Sequence, residues 1–165
     1  MKYPGTIIYT DGSRHRRGAA CYAAVILCND RFLGEITGTV FDTAVTAGQM
    51  ETEAICQAVA WIAENPDKAK PPYKLVTDYK PFVDLYNGSN WLRRGGSIGR
   101  SIKIGKEMGL EVTHIPAHMQ EHNGNKVCDK TCRALCSLVL LYGVSALSLV
   151  AGKAAVADGN SQSAC

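Results

Sequence analysis

A change of hydrophobic period near Thr46 constrains the fold of this chain more than any other feature. Before it, three strand-like segments follow one another with short links: residues 5–11, residues 18–28 (GAACYAAVILC) and residues 31–41 (RFLGEITGTVF). Asn29-Asp30 between the last two is a hairpin signal. Strands joined by links this short pair antiparallel. After Thr46 the apolar residues Met50, Ala54, Ile55, Ala58, Val59 and Ile62 fall at helical spacing. Thr46 with Gln49 fits a capping box, and Val45 and Met50 are placed for a hydrophobic staple. Pro66 ends this helix at Asn65.

Downstream the two periods alternate. Residues 73–78 (YKLVTD) read as a fourth strand and residues 81–86 as a short helix. A glycine-rich connection (GSNWLRRGGSIG, 88–99) leads to a second short helix near residues 100–108. Residues 110–116 (LEVTHIP) alternate as a fifth strand, and a long helix starts near Asn125. Strands joined through helices lie parallel to a neighbour. The order predicts an α/β fold: a mixed five-stranded sheet, three antiparallel strands and then parallel additions, flanked by helices.

A chain of 165 residues suits one domain with a sizeable core. Its net charge of +3 permits nucleic-acid binding without arguing for it. The seven cysteines are an odd number and none is spaced C-x-x-C. The opening MKYPGTIIYTDG has no long apolar run to serve as a signal peptide. Free thiols in the cytoplasm are therefore expected. Cys128, Cys132 and Cys136 stack on one helix face and read as small core-facing residues. Residues 136–151 (CSLVLLYGVSALSLVA) carry no charge. That run is shorter than the ~18 residues of a membrane span, so it reads as a helix packed on the sheet or on another subunit, with a tail anchor as the lesser reading.

Four acids sit where acids are costly. Asp11 and Asp78 each end a strand after a threonine, Glu51 lies near the start of the first long helix, and Asp129 near the start of the last. Singly, each has an ordinary explanation: Asp11 before Gly12 as a turn residue, Glu51 as a first-turn acid, Asp78 as a cap, Asp129 on a solvated face. Ligands collect at the carboxyl ends of adjacent parallel strands, so strands one and four, if neighbours, bring Asp11 and Asp78 together. Four convergent carboxylates repel one another unless cations lie between them. Oxygen ligands of this kind suit Mg²⁺ or Mn²⁺, and two such ions roughly 4 Å apart catalyse in-line displacement at phosphorus.

IYTDGS, TAGQMETEA, LVTDYKPFVD and PAHMQEHNGNKVCDKTCRAL carry these acids in a fixed order. On these segments the chain resembles the ribonuclease H type 1 family, enzymes that cut the RNA of RNA–DNA hybrids. The likeness covers about residues 5–135. It implies a ribonuclease H-like sheet and a catalytic domain over 1–135, with 136–165 as an apolar extension and tail. It implies that Asp11, Glu51, Asp78 and Asp129 are catalytic and hold two Mg²⁺ ions, or Mn²⁺. A mobile loop histidine falls on His118, with His122 as its rival. Contacts to 2′-hydroxyls fall on Gly12, Ser13, Gly48 and Gln49. The implied reaction is endonucleolytic hydrolysis of the RNA strand, leaving 5′-phosphate and 3′-hydroxyl ends.

The chain departs from the pattern in one segment. Only WLRRGGSIGR lies where some members carry a basic helical protrusion, so affinity for the hybrid must come from elsewhere. Arg93 and Arg94, the run Arg14 to Arg17, and Arg100, Lys103 and Lys106 are candidate phosphate contacts or plain solvated surface. Trp91 is a stacking group or a half-buried anchor. The partner expected is the hybrid, with no obligate protein partner and with the apolar tail as a self-association surface. The competing readings are a nuclease of another substrate on the same fold and a non-catalytic nucleic-acid-binding domain.

Overall fold

The computed structural model describes residues 3–88, 95–116 and 123–142. They form β1 (Thr6–Arg14), β2 (Ala19–Cys28), β3 (Arg31–Phe41), α1 (Ala47–Glu64), β4 (Tyr73–Thr77), α2 (Lys80–Asn87), α3 (Gly96–Glu107), β5 (Glu111–His114) and α4 (Asn123–Tyr142). The sheet order is β3-β2-β1-β4-β5. β1, β2 and β3 pair antiparallel, and β4 and β5 add in parallel beside β1. This is the mixed five-stranded sheet expected from the order of periods.

Local chemistry sets the element ends. Asn29 and Asp30 have φ of 51° and 62°, the left-handed pair that matches a hairpin to strand twist. The capping box at α1 is formed. The Gln49 N–H donates to Thr46 Oγ1 at 3.2 Å, and the Thr46 N–H donates to Gln49 Oε1 at 2.7 Å. α1 stops at Glu64 with Asn65 as its C-cap, ahead of Pro66.

The alternation along β2 divides the core into two layers. Ala24 and Ile26 face Ile55, Ala58, Val59 and Ile62 of α1, together with Ile8 and Leu75. Ala19, Cys21, Ala23 and Val25 face Cys128, Cys132, Cys136 and Val139 of α4. The three α4 cysteines are core-facing, as their spacing predicts. Being small, they let the helix lie close to the strands, and their thiols donate to main-chain carbonyls. Cys128 Sγ reaches Tyr9 O at 3.3 Å, Cys132 Sγ reaches Asp11 O at 3.6 Å and Cys136 Sγ reaches Ala19 O at 3.6 Å. α4 runs unbroken across position 135, and Cys136 and Val139 beyond it belong to this same layer. The apolar sequence after Tyr142 lies outside the described residues. Among the described residues, no helix is long and apolar enough to cross a membrane.

Two boundaries differ from the sequence reading: β1 runs on to Arg14 instead of ending at residue 11, and α3 starts early. α3 begins at Gly96, not near residue 100. Glycine is a poor helix former, so local propensity argued for a later start. Packing overrides it: Ile98, in the extra turn, rests against the α1 layer of the core.

Candidate active site

β1 and β4 part company where the acids lie. Their ladder ends at Tyr9 opposite Val76, whereas β1 continues beside β2 as far as Arg14 opposite Ala20. Asp11 therefore sits inside a strand, two residues beyond the point where its β4 neighbour peels away. Asp78 is the first residue after β4. The turn reading of Asp11 and Gly12 is overturned. Gly12 is a strand residue paired with Tyr22, and its missing side chain serves packing. A Cβ there would collide with the main chain of Met50 and Glu51. The bare glycine lets the first turn of α1 press onto β1 and sets Glu51 beside Asp11.

Carboxylate oxygens of Asp11, Glu51 and Asp78 all lie within 4.8 Å of one another. Asp11 is 8% exposed and Glu51 9%. Burial is the main force raising the Asp11 pKa to about 6, and the Asp78 charge adds to it. Burial, then the Asp11 and Asp78 charges, raise Glu51 to about 10. The Gly12 N–H pulls both the other way. Burial and the neighbouring carboxylates thus favour the protonated form of Glu51. Glu51 Oε2 is buried with no hydrogen-bond partner among the described residues. Clustered hard oxygens, mutual repulsion and one unsatisfied buried acceptor fit a hard divalent cation such as Mg²⁺ or Mn²⁺.

Asp129 approaches from α4. The start of that helix lies on the Tyr9 ring, where only a glycine at 124 leaves room. The Asp129 charge helps to raise the Asp11 pKa, yet Asp129 stands outside the group of three. Its Oδ1 accepts from Arg133 Nε at 2.8 Å. Ser13 is half-buried and, two residues on from Asp11, shares its face of β1. Gly48 lies against the Tyr79 ring: a Cβ there would come 2.8 Å from the Tyr79 hydroxyl. Gln49 spends its side-chain carbonyl on the cap, leaving its amide nitrogen for other contacts. An open groove of about 480 Å³ runs past Thr46, Gly48, Gln49, Thr52, Tyr79 and Ser97. His118, His122, Trp91, Arg93 and Arg94 lie outside the described residues.

Two residues at the site were missed in the sequence. His114 Nε2 lies 3.2 Å from the main-chain oxygen of Asp78. It closes β5 opposite Thr77, at the same edge as the acids, and a parallel β5 was the available signal. Arg133 was legible as the i,i+4 partner of Asp129.

A family model described as RNase H matches residues 4–137. No curated protein matches the chain by sequence. Among solved structures, RNase H1 from the halophilic archaeon Halobacterium salinarum is similar, with 19% identity and a TM-score of 0.55 over 80% of this chain and 97% of that one. LC11-RNase H1, solved in complex with an RNA/DNA hybrid, has 22% identity and a TM-score of 0.61 over 82% of this chain and 99% of that one. A foamy viral protease-reverse transcriptase, also in complex with an RNA/DNA hybrid, has 16% identity and a TM-score of 0.62 over 81% of this chain and 20% of that one. At these identities the likeness is one of fold.

Proposed function

The chain belongs to the RNase H family, and from that premise we propose that it hydrolyses the RNA strand of RNA–DNA hybrids endonucleolytically. The observation that carries the proposal is the carboxylate triad at the β1–β4 edge, with its oxygens within 4.8 Å of one another. The hybrid seen on the similar fold of LC11-RNase H1 supports the substrate.

Asp11, Glu51 and Asp78 are the residues that would hold divalent cations, with Asp129 completing the set from α4. A pair of such ions would supply an activated water for attack on phosphorus and stabilise the charge on the leaving oxygen. That chemistry leaves 5′-phosphate and 3′-hydroxyl ends. The remaining work falls to the chain's own groups. Gly12 holds α1 against β1, so Glu51 and Asp11 keep their spacing. Burial of Asp11 and Glu51 keeps water from screening them. Main-chain groups of Gly12 and Gly48, the Ser13 hydroxyl and the Gln49 amide face the 2′-hydroxyls that distinguish RNA from DNA. His118, or else His122, serves proton transfer or product release, and Arg93 and Arg94 bind phosphate.

The six described cysteines are free, which supports a reducing, cytoplasmic setting. Leu138, Leu141 and Tyr142 are exposed on α4, which supports self-association through the apolar extension.

The test is cleavage of an end-labelled hybrid with Mg²⁺ or Mn²⁺ by the wild type and by Asp78→Asn, in competition with duplex RNA and single strands. The wild type should cut only the RNA of the hybrid and the variant should not cut. A wild type inactive with both metals, or one that prefers another substrate, would sink the proposal.

A further inference from the structure

Three cationic clusters compete for nucleic-acid phosphates, and the structure separates them. Arg93 and Arg94 lie outside the described residues. On α3, Lys103 pairs with Glu107 at 3.9 Å and Lys106 sits over the Tyr86 ring at 4.2 Å. Two of the three α3 cations thus have partners within the fold, and only Arg100 is exposed with neither an ion pair nor a ring contact among the described residues.

The turn between β1 and β2 differs. Arg14, Arg16 and Arg17 are exposed, and among the described residues no carboxylate forms an ion pair with any of them. The turn is braced internally. The His15 N–H donates to Ala19 O at 2.6 Å, the Gly18 N–H to His15 O at 3.0 Å, and the Arg17 N–H to His15 Nδ1 at 3.2 Å. It is also tied to the link entering α1. The Asp42 N–H donates to Gly18 O at 2.9 Å, and Arg14 Nη2 donates to Thr43 O at 2.8 Å. Gly18, at φ +94°, lets the turn lie there, since a Cβ would come 3.1 Å from the Thr43 methyl.

We infer that the β1–β2 turn is a binding site for duplex phosphates lying away from the bond that is cut. Three like charges within four residues repel one another, and a polyanion relieves that repulsion while releasing its own counterions. The braced backbone means little order must be imposed on binding. Arg14 lies three residues beyond Asp11 along an extended strand, about 10 Å. The turn therefore positions the substrate and leaves the reacting atoms alone. Phosphate contacts carry affinity and register, not sequence. The inference rests on the hybrid reading above for the identity of the duplex.

The experiment measures binding and cleavage separately. Binding of a labelled hybrid is followed by anisotropy between 50 and 200 mM salt, in an Asp78→Asn background that does not cut. Arg16→Ala/Arg17→Ala is compared with Arg100→Ala/Lys103→Ala, which removes equal charge from α3. Arg14 is left intact because it braces the turn. Loss of two phosphate contacts flattens the slope of log affinity against log salt by about 1.8, so affinity falls about tenfold less over this range. With Asp78 restored, the turn variant should raise KM and leave kcat within about twofold. The α3 variant should change the slope by less than half as much. An unchanged slope in the turn variant, or equal changes in both variants, overturns the inference. Circular dichroism melting of each variant separates lost contacts from lost folding. A hybrid that is bound but not cut by the wild type refutes the nuclease reading and leaves the turn's slope fully measurable.

Discussion

Replacing Asp11 by Asn should make the metal-free protein more stable while abolishing its activity. The native site lifts the Asp11 pKa from its ordinary 3.8 to about 6, through burial first and the Asp78 charge second. At ~1.4 kcal/mol for each tenfold change in proton affinity, that is about 3 kcal/mol against folding once the group is ionised. The sign follows from linkage. The native state holds the Asp11 proton more tightly than the unfolded chain does, so the Asp11 contribution to stability is fully present below pH ~4 and is lost as pH rises through 6. Asn keeps the shape and removes the titration. The assay is thermal unfolding in a chelator at several pH values. At pH 7.5 the variant should melt roughly 6–12 °C above the wild type, at ~2–4 °C per kcal/mol for a chain of this size. Towards pH 4 the gap should close. Adding Mg²⁺ should raise the wild type by mass action and the variant less. A variant no more stable than the wild type at pH 7.5, or a gap independent of pH, would show that Asp11 is not held against its charge by the fold.

Two substitutions near α1 should separate geometry from stability. Gly12→Ala drives a Cβ into the main chain of Met50 and Glu51, which cannot swing aside as a side chain would. It should cost ~1–3 kcal/mol, as overpacking does, and should lower activity even well below the melting temperature, because α1 must move off β1. Paired melting and hybrid-cleavage curves check this, and full activity in a folded Gly12→Ala protein would refute the packing argument. Thr46→Ala removes the capping hydroxyl 3.2 Å from the Gln49 N–H and should cost about 1 kcal/mol. Its melting curve should shift by a few degrees with cleavage at 25 °C unchanged. A loss of cleavage there would mean that the cap also sets the position of Glu51.

The sequence and the fold disagree where packing between distant segments decides. The strand periods, the Asn29-Asp30 hairpin and the Thr46–Gln49 box were legible because each is a local preference with a local partner. That β4 joins the sheet in parallel is legible from the helix before it, whereas its place beside β1 is a tertiary outcome that the two Thr-Asp strand ends only suggest. Gly12 misled for a physical reason. Asp-Gly-Ser is turn chemistry, and nothing local says that α1 will return to lie on that residue. Only the approach of α1 makes the glycine a packing requirement, and the same approach brings Glu51 to Asp11. His114 was hidden for a related reason: its place beside Asp78 depends on the β4–β5 register, which tertiary packing sets. The triad's spacing is thus a property of two contacts that meet at one edge, the helix pressed onto Gly12 and the β4 strand that leaves β1 after Tyr9. Change either contact and the same three acids become the solvated turn residue, helix-end acid and cap that each resembles alone.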